Sequence, residues 1–90
     1  MNNLSIFIQS SKANQFKVDY PYLGLFGTAD VTPIEENNET VYECRLRNGK
    51  TMLVKKAKQL RKWIDVNLNL DTPLAGVIGM SIEDYLKLGH

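Results

Sequence analysis

The sequence predicts an α+β domain in which a small antiparallel sheet of three or four strands is packed by helices. Two runs of strand-forming residues flank Asn48 and Gly49, a dipeptide typical of tight β-hairpin turns. Apolar residues with helical spacing follow this hairpin, and a shorter helical pattern ends the chain. A sheet of this size needs packed helices to be stable, so we expect helices to cover one of its faces.

Size and composition are those of one ordinary globular unit, residues 1–90, with one modest hydrophobic core. Hydrophobic residues make up 43 % of the chain and charged residues 23 %, which excludes a disordered tail. A single cysteine excludes an intramolecular disulfide and indicates a reducing compartment. Because the sequence shows neither a basic leader nor a long apolar run, we expect a cytoplasmic protein that makes no membrane contact.

The first half of the chain carries weaker structural signals than the second. Alternating aliphatic side chains predict a short strand over residues 4–9, and residues 10–18 fit either a weak helix or a loop. The segment YPYLGLFG, residues 20–27, is interrupted by glycine and proline, so we expect it to pack on the core without regular structure. Pro33 restricts residues 28–34 to an edge strand or a strand end, since proline has no amide hydrogen to donate.

A central hairpin over about residues 41–55 is the strongest local prediction. If Asn48 and Gly49 form a two-residue loop, Cys44 lies opposite Leu53. The core-facing side of the hairpin then consists of Tyr42, Cys44, Leu46 and Leu53.

The same register places three aliphatic side chains, Val41, Met52 and Val54, on the face of the hairpin away from the predicted core. If helices cover one face only, these residues form an exposed apolar strip. Such a strip would suit a homodimer or another partner.

Two helices, with a short helical turn between them, are expected after the hairpin. Apolar residues spaced by three and four predict an amphipathic helix over about residues 56–68, with Trp63 as a core anchor; the residues concerned are Ala57, Leu60, Ile64 and Leu68. Residues 71–73 resemble a separate helix start that ends at Gly76 or Gly79. A last short helix is predicted over about residues 82–88.

No arrangement of residues typical of an active site occurs in the sequence. The one histidine is the last residue, and Cys44 lies on the predicted apolar face, which favours packing over reactivity. Three glutamates at positions 35, 36 and 39 lack the ligand spacing of a calcium loop, and no glycine pattern matches a phosphate loop. We therefore expect no catalytic activity, no metal and no cofactor.

The basic residues are strongly clustered, although the net charge is only +1. Eight of the eleven lie between positions 45 and 63, a stretch that contains no acidic residue. They form the candidate surface for a protein partner or a nucleic acid: Arg45, Arg47, Lys50, Lys55, Lys56, Lys58, Arg61 and Lys62.

Two classes of partner fit this surface. A protein partner would use the cations for steering and apolar side chains as anchors, the candidates being Tyr20, Tyr22, Phe26, Met52 and Val54. DNA or RNA would use the cations to neutralise phosphates, but the pI of 7.8 and the scarcity of aromatic residues within the basic stretch weigh against it. We expect a non-catalytic protein-binding module, an accessory or inhibitory subunit of the phage type, with nucleic-acid binding as the alternative.

Overall fold

A computed structural model describes residues 14–58 and 61–88 of the chain. They form five strands and one helix: β1 (Phe16–Tyr22), β2 (Leu25–Glu36), β3 (Glu39–Leu46), β4 (Thr51–Ala57), β5 (Lys62–Asp65) and α1 (Pro73–Lys87). The α+β class is confirmed, but the sheet has five strands and not three or four. The strand predicted over residues 4–9 lies outside the described residues.

The sheet is an antiparallel meander in which each strand pairs with the next one along the chain. It curls into a half-barrel, and α1 lies against β1, β4 and β5. The core between sheet and helix includes Val18, Tyr20, Ala29, Val31, Cys44, Leu46, Met52, Val54, Trp63, Ala75, Ile78 and Ile82. One helix therefore covers a sheet that bends around it.

The β3–β4 hairpin forms as predicted, but its loop contains three residues, 47–49, and not two. The Leu46 amide donates to the Lys50 carbonyl at 2.8 Å, and the Gly49 amide donates to the Leu46 carbonyl at 3.0 Å. Gly49 has φ +89°, the left-handed conformation that closes three-residue hairpin loops. The extra loop residue shifts the pairing of the strands by one position.

This shift exchanges the two faces of β4. Cys44 lies opposite Met52, so Met52 and Val54 face the core, with exposed fractions of 9 % and 0 %. Leu53 occupies the other face, contrary to the predicted register. The expected apolar strip is therefore absent from the described surface: two of its residues are core residues, and Val41 is itself buried. The observation that suggested a homodimer is lost with it.

Residues 56–68 do not form the predicted amphipathic helix. The chain turns after β4 and returns as β5, where Trp63 pairs with Lys56 and faces the core. The neighbouring Ile64 points to the opposite face of the strand. Leu68 is 60 % exposed, so the helical spacing of these apolar residues does not correspond to one buried stripe.

One helix replaces the two short C-terminal elements that the sequence suggested. The Ala75 amide donates to Thr72 Oγ1 at 3.1 Å, which caps the helix before Pro73 in its first turn. Gly76 and Gly79 lie inside the helix and do not end it. At position 79 there is no room for a side chain, because the indole of Trp63 occupies that space.

The segment YPYLGLFG is a regular hairpin, contrary to the prediction. Tyr22 pairs with Leu25, and Leu23 and Gly24 form the turn with φ values of +55° and +79°. Positive φ at both central residues is the type I′ pattern. Because β2 pairs with β3 only from Ala29 onward, β1 is the one strand neighbour of residues 25–28 within the described parts of the chain.

The remaining predictions for this half of the chain are corrected by β1 and β2. Residues from Phe16 onward are strand and not a weak helix or loop. β2 lies between β1 and β3 and is not an edge strand. Its pairing with β1 ends at Val31, opposite Phe16, so Pro33 pairs with β3 but not with β1. Among the described residues β2 thus has only one strand neighbour at the proline, as the missing amide hydrogen requires.

Candidate functional site

The eight clustered cations are divided between the two ends of the sheet. In an antiparallel meander the loops after β1 and β3 lie at one end, which we call the tip end, and the loops after β2 and β4 lie at the other, the cleft end. Three of the cations belong to the tip end: Arg45, Arg47 and Lys50. Lys56, Lys58 and Arg61 line a cleft at the opposite end. The linear cluster is therefore not one surface.

Three of the eight are held in ion pairs. Lys55 Nζ lies 3.4 Å from a Glu39 carboxylate oxygen, Lys62 Nζ lies 3.4 Å from Asp71, and Lys56 pairs with Glu83. Within the described parts of the chain, the other five make no ion pair: Arg45, Arg47, Lys50, Lys58 and Arg61.

The β1–β2 hairpin has three exposed large apolar side chains at the tip end. Leu23, Leu25 and Phe26 have exposed fractions of 83 %, 74 % and 78 %. Tyr20, below them in β1, is buried, and its ring packs so closely on Gly27 that a Cβ there would lie 2.5 Å from the ring. The hairpin is thus anchored in the core at its base and apolar at its end.

Of the predicted apolar docking residues, only Phe26 is exposed. Tyr22 is half-buried against the core, and Tyr20, Met52 and Val54 are buried in it. Leu25, which was not among the predicted docking residues, is exposed beside Phe26 in the sequence. Leu25 and Phe26 lie in the part of β2 that extends beyond its pairing with β3, and the sequence does not show where that pairing ends.

A shallow groove of about 350 Å³ joins the two hairpins of the tip end. It is lined by Thr28 and Asp30 of β2 together with Arg45 and Arg47. The base of the apolar hairpin therefore adjoins the basic loop, and both lie at the same end of the sheet.

A larger cleft of about 810 Å³ lies at the cleft end, between the β2–β3 loop, the end of β4 and the last turns of α1. Tyr42 and Trp63 line it, with ring centroids 5.6 Å apart. Four cations line it as well: Lys56, Lys58, Arg61 and Lys87. Trp63 is the core anchor that the sequence predicted, with an exposed fraction of 7 %.

Glu83 fixes one wall of this cleft. Its carboxylate oxygen accepts a hydrogen bond from Trp63 Nε1 at 2.9 Å and pairs with the Lys56 ammonium. The hydrogen bond from Lys56, followed by that from Trp63, lowers the pKa of Glu83 below its ordinary value. Burial, followed by the nearby Glu35 carboxylate, raises the pKa of Tyr42, so its hydroxyl is protonated at neutral pH. The cleft therefore contains an ionised acid and a neutral phenol.

Cys44 is fully buried, and burial raises the pKa of its thiol to about 12. It packs in the core, and its Sγ lies 3.7 Å from the Tyr42 carbonyl oxygen. In the described part of the chain no three His, Cys, Asp or Glu residues are grouped to hold a metal ion. Over the same residues, no helix has the length and apolar character needed to cross a membrane.

Comparison with protein-family models, with curated proteins and with solved structures finds no match to this chain. Three residues of the cleft were not among the predicted site residues: Tyr42, Glu83 and Lys87. Tyr42 was expected to face the core. Glu83 and Lys87 are distant in sequence from the basic stretch, and only the packing of α1 brings them to it.

Proposed function

We propose that this chain is a non-catalytic protein-binding module that docks through its tip end. The observation that carries this proposal is the projecting hairpin, at whose end Leu23, Leu25 and Phe26 are all exposed. Single exposed leucines are common on protein surfaces, but three large apolar side chains exposed at the end of one hairpin indicate a contact site. The type I′ turn presents them without a flexible loop.

The energetics favour a partner with an apolar groove. Burying one such side chain contributes about 1.5–3 kcal/mol, so three contribute about 5–9 kcal/mol. Association itself costs on the order of 4–15 kcal/mol, so the apolar anchors do not suffice alone. Further contacts must come from the surroundings of the hairpin.

The basic loop next to the hairpin supplies those contacts. Arg45, Arg47 and Lys50 make no ion pair within the described residues and lie at the same end of the sheet. They complement an acidic rim around the partner's groove and accelerate the encounter with it. An accessory or inhibitory subunit in the cytoplasm would act in this way, by occupying a groove of a larger protein.

The alternative, binding of DNA or RNA along the basic stretch, receives less support from the geometry. A nucleic-acid backbone needs a continuous series of cations. Here three cations lie at the tip end, three line the cleft, and Lys55 and Lys62 are held by carboxylates. A long polyanion would therefore meet two separate positive surfaces.

The test compares wild type with Leu25→Gln/Phe26→Gln in affinity capture from the native host, followed by titration calorimetry with the recovered partner. We expect the double variant to lose at least 30-fold in affinity, because truncating one anchor typically costs about 2 kcal/mol. Met80→Gln, which alters an exposed apolar side chain on α1, is the matched control and should bind like wild type.

Equal affinity of wild type and Leu25→Gln/Phe26→Gln for the recovered protein would refute docking through the hairpin. Capture that disappears on nuclease treatment would instead support the nucleic-acid alternative.

A further inference from the structure

We propose that the cleft at the end opposite the hairpin binds a nucleotide, that is, a phosphate joined to a flat aromatic base. This is a second binding site and does not depend on docking at the tip end. Its volume of about 810 Å³ lies within the range of about 300–1,000 Å³ that is typical of small-molecule sites.

Positive charge is in excess in the cleft, which favours an anionic ligand. Its lining includes two acids, Glu39 and Glu83, and both are already engaged, by Lys55 and Lys56 respectively. Lys58, Arg61 and Lys87 have no ion-pair partner among residues 14–58 and 61–88.

These three cations line one cleft from the residue after β4, the residue before β5 and the end of α1. A phosphate monoester, with a charge of about −1.5 to −2 and three acceptor oxygens, matches them.

The uncharged part of the cleft suits a flat ring. Tyr42 on the sheet side is half-buried, and Leu86 on the helix side is 45 % exposed, so both present apolar surface to the cleft. The protonated Tyr42 hydroxyl and the exposed amide of Asn38 are available to hydrogen-bond the edge of a base. Trp63 is held by Glu83 and forms a fixed wall.

A compact ligand explains this arrangement better than an acidic peptide does. The unpaired cations surround one cleft that also has an apolar side, whereas a peptide with several carboxylates would need cations spaced along a groove. The ligand is either a free nucleotide or one nucleotide of a single-stranded nucleic acid. Both offer the cleft an unpaired base and a phosphate group.

Trp63 is the only tryptophan of the chain and lies in the cleft wall, so its fluorescence reports directly on occupancy. Wild type is titrated with adenosine monophosphate, adenosine, inorganic phosphate, a short single-stranded adenine oligonucleotide and a glutamate-rich peptide. We expect the monophosphate to bind at least tenfold more tightly than adenosine or phosphate alone. Tighter binding of the oligonucleotide than of the monophosphate would identify a single strand as the source.

Substitutions in the cleft provide the second part of the test. Lys58→Gln and Arg61→Asn should each weaken nucleotide binding about fivefold to tenfold, through the loss of a charge-assisted hydrogen bond. Asparagine is chosen at position 61 because Arg61 has φ +53°, which asparagine tolerates. Lys17→Gln, with the same charge change in β1, should bind like wild type.

Three results would overturn the proposal: no fluorescence change up to about 5 mM nucleotide, peptide binding as tight as nucleotide binding, or equal losses in Lys17→Gln and Lys58→Gln. Leu25→Gln/Phe26→Gln should bind nucleotide normally, so failure of this site is distinguishable from failure of the protein-docking proposal.

Discussion

Gly79 of α1 lies directly against the indole of Trp63 in β5. This contact explains why a glycine occurs in the middle of the helix despite its cost of about 1 kcal/mol relative to alanine. It also sets how closely α1 approaches the sheet on the side that forms the cleft. The helix and the indole therefore fit together only while position 79 carries no side chain.

Gly79→Ala should destabilise the protein, since a Cβ there would overlap ring atoms of Trp63. Overpacking costs about 1–3 kcal/mol and outweighs the gain in helix propensity. Gly76→Ala in the same helix is the matched control: open space surrounds that position, so we expect a gain of about 0.5–1 kcal/mol. Urea unfolding measures both, and equal effects of the two changes would contradict the packing argument.

The contribution of Glu83 to stability should depend on pH in the acidic range. Because Lys56 and Trp63 lower its folded-state pKa, the contribution is complete above about pH 4.5 and is lost as the pH falls through the folded-state value. The difference in unfolding free energy between wild type and Glu83→Gln should therefore shrink below pH 4.5. In a Lys56→Gln background this pH dependence should be weaker, and a difference that is constant with pH would argue against the ion pair.

Cys44 should be unreactive in the folded protein. Full burial and a thiol pKa of about 12 leave almost no accessible thiolate at pH 8. We expect a disulfide reagent that releases a coloured thiolate to modify Cys44 only after addition of guanidinium. Rapid modification of the native protein would show that the β3 core opens readily.

The β3–β4 loop should be sensitive to substitution at Gly49. Alanine at φ +89° costs about 1–2 kcal/mol, whereas asparagine, which tolerates positive φ better, should cost less. The Lys50 amide also donates to Asn48 Oδ1 at 2.9 Å, so Asn48→Ala should cost about 1 kcal/mol. Thermal unfolding of the three variants tests this order, and equal losses for alanine and asparagine at position 49 would contradict it.

Elements with strong local signals could be predicted from the sequence. Asn48 and Gly49 define a turn, and the capping group of Thr72 with Pro73 defines a helix start, because both depend on interactions within a few residues. The loop length around Gly49 could not be read in the same way, since two- and three-residue loops use the same dipeptide. The one additional loop residue determines that Met52, and not Leu53, faces the core.

β5 could not be predicted, because it exists through pairing with β4 and not through its own pattern. Trp63 and Ile64 are apolar on opposite faces of a short strand, and adjacent apolar residues fit a helix equally well. The cleft could not be predicted either. Glu83 and Lys87 reach Lys56 and Trp63 only through the packing of α1.

The meander order of the sheet has a consequence for synthesis on the ribosome. Each strand pairs with the one made just before it, so the hairpins can form while the chain is still growing. The stacking of Phe16 on Tyr85, with ring centroids 4.1 Å apart, joins β1 to α1 and must wait until α1 has emerged. Until then the concave side of the sheet is uncovered, and its apolar residues are exposed to the cell.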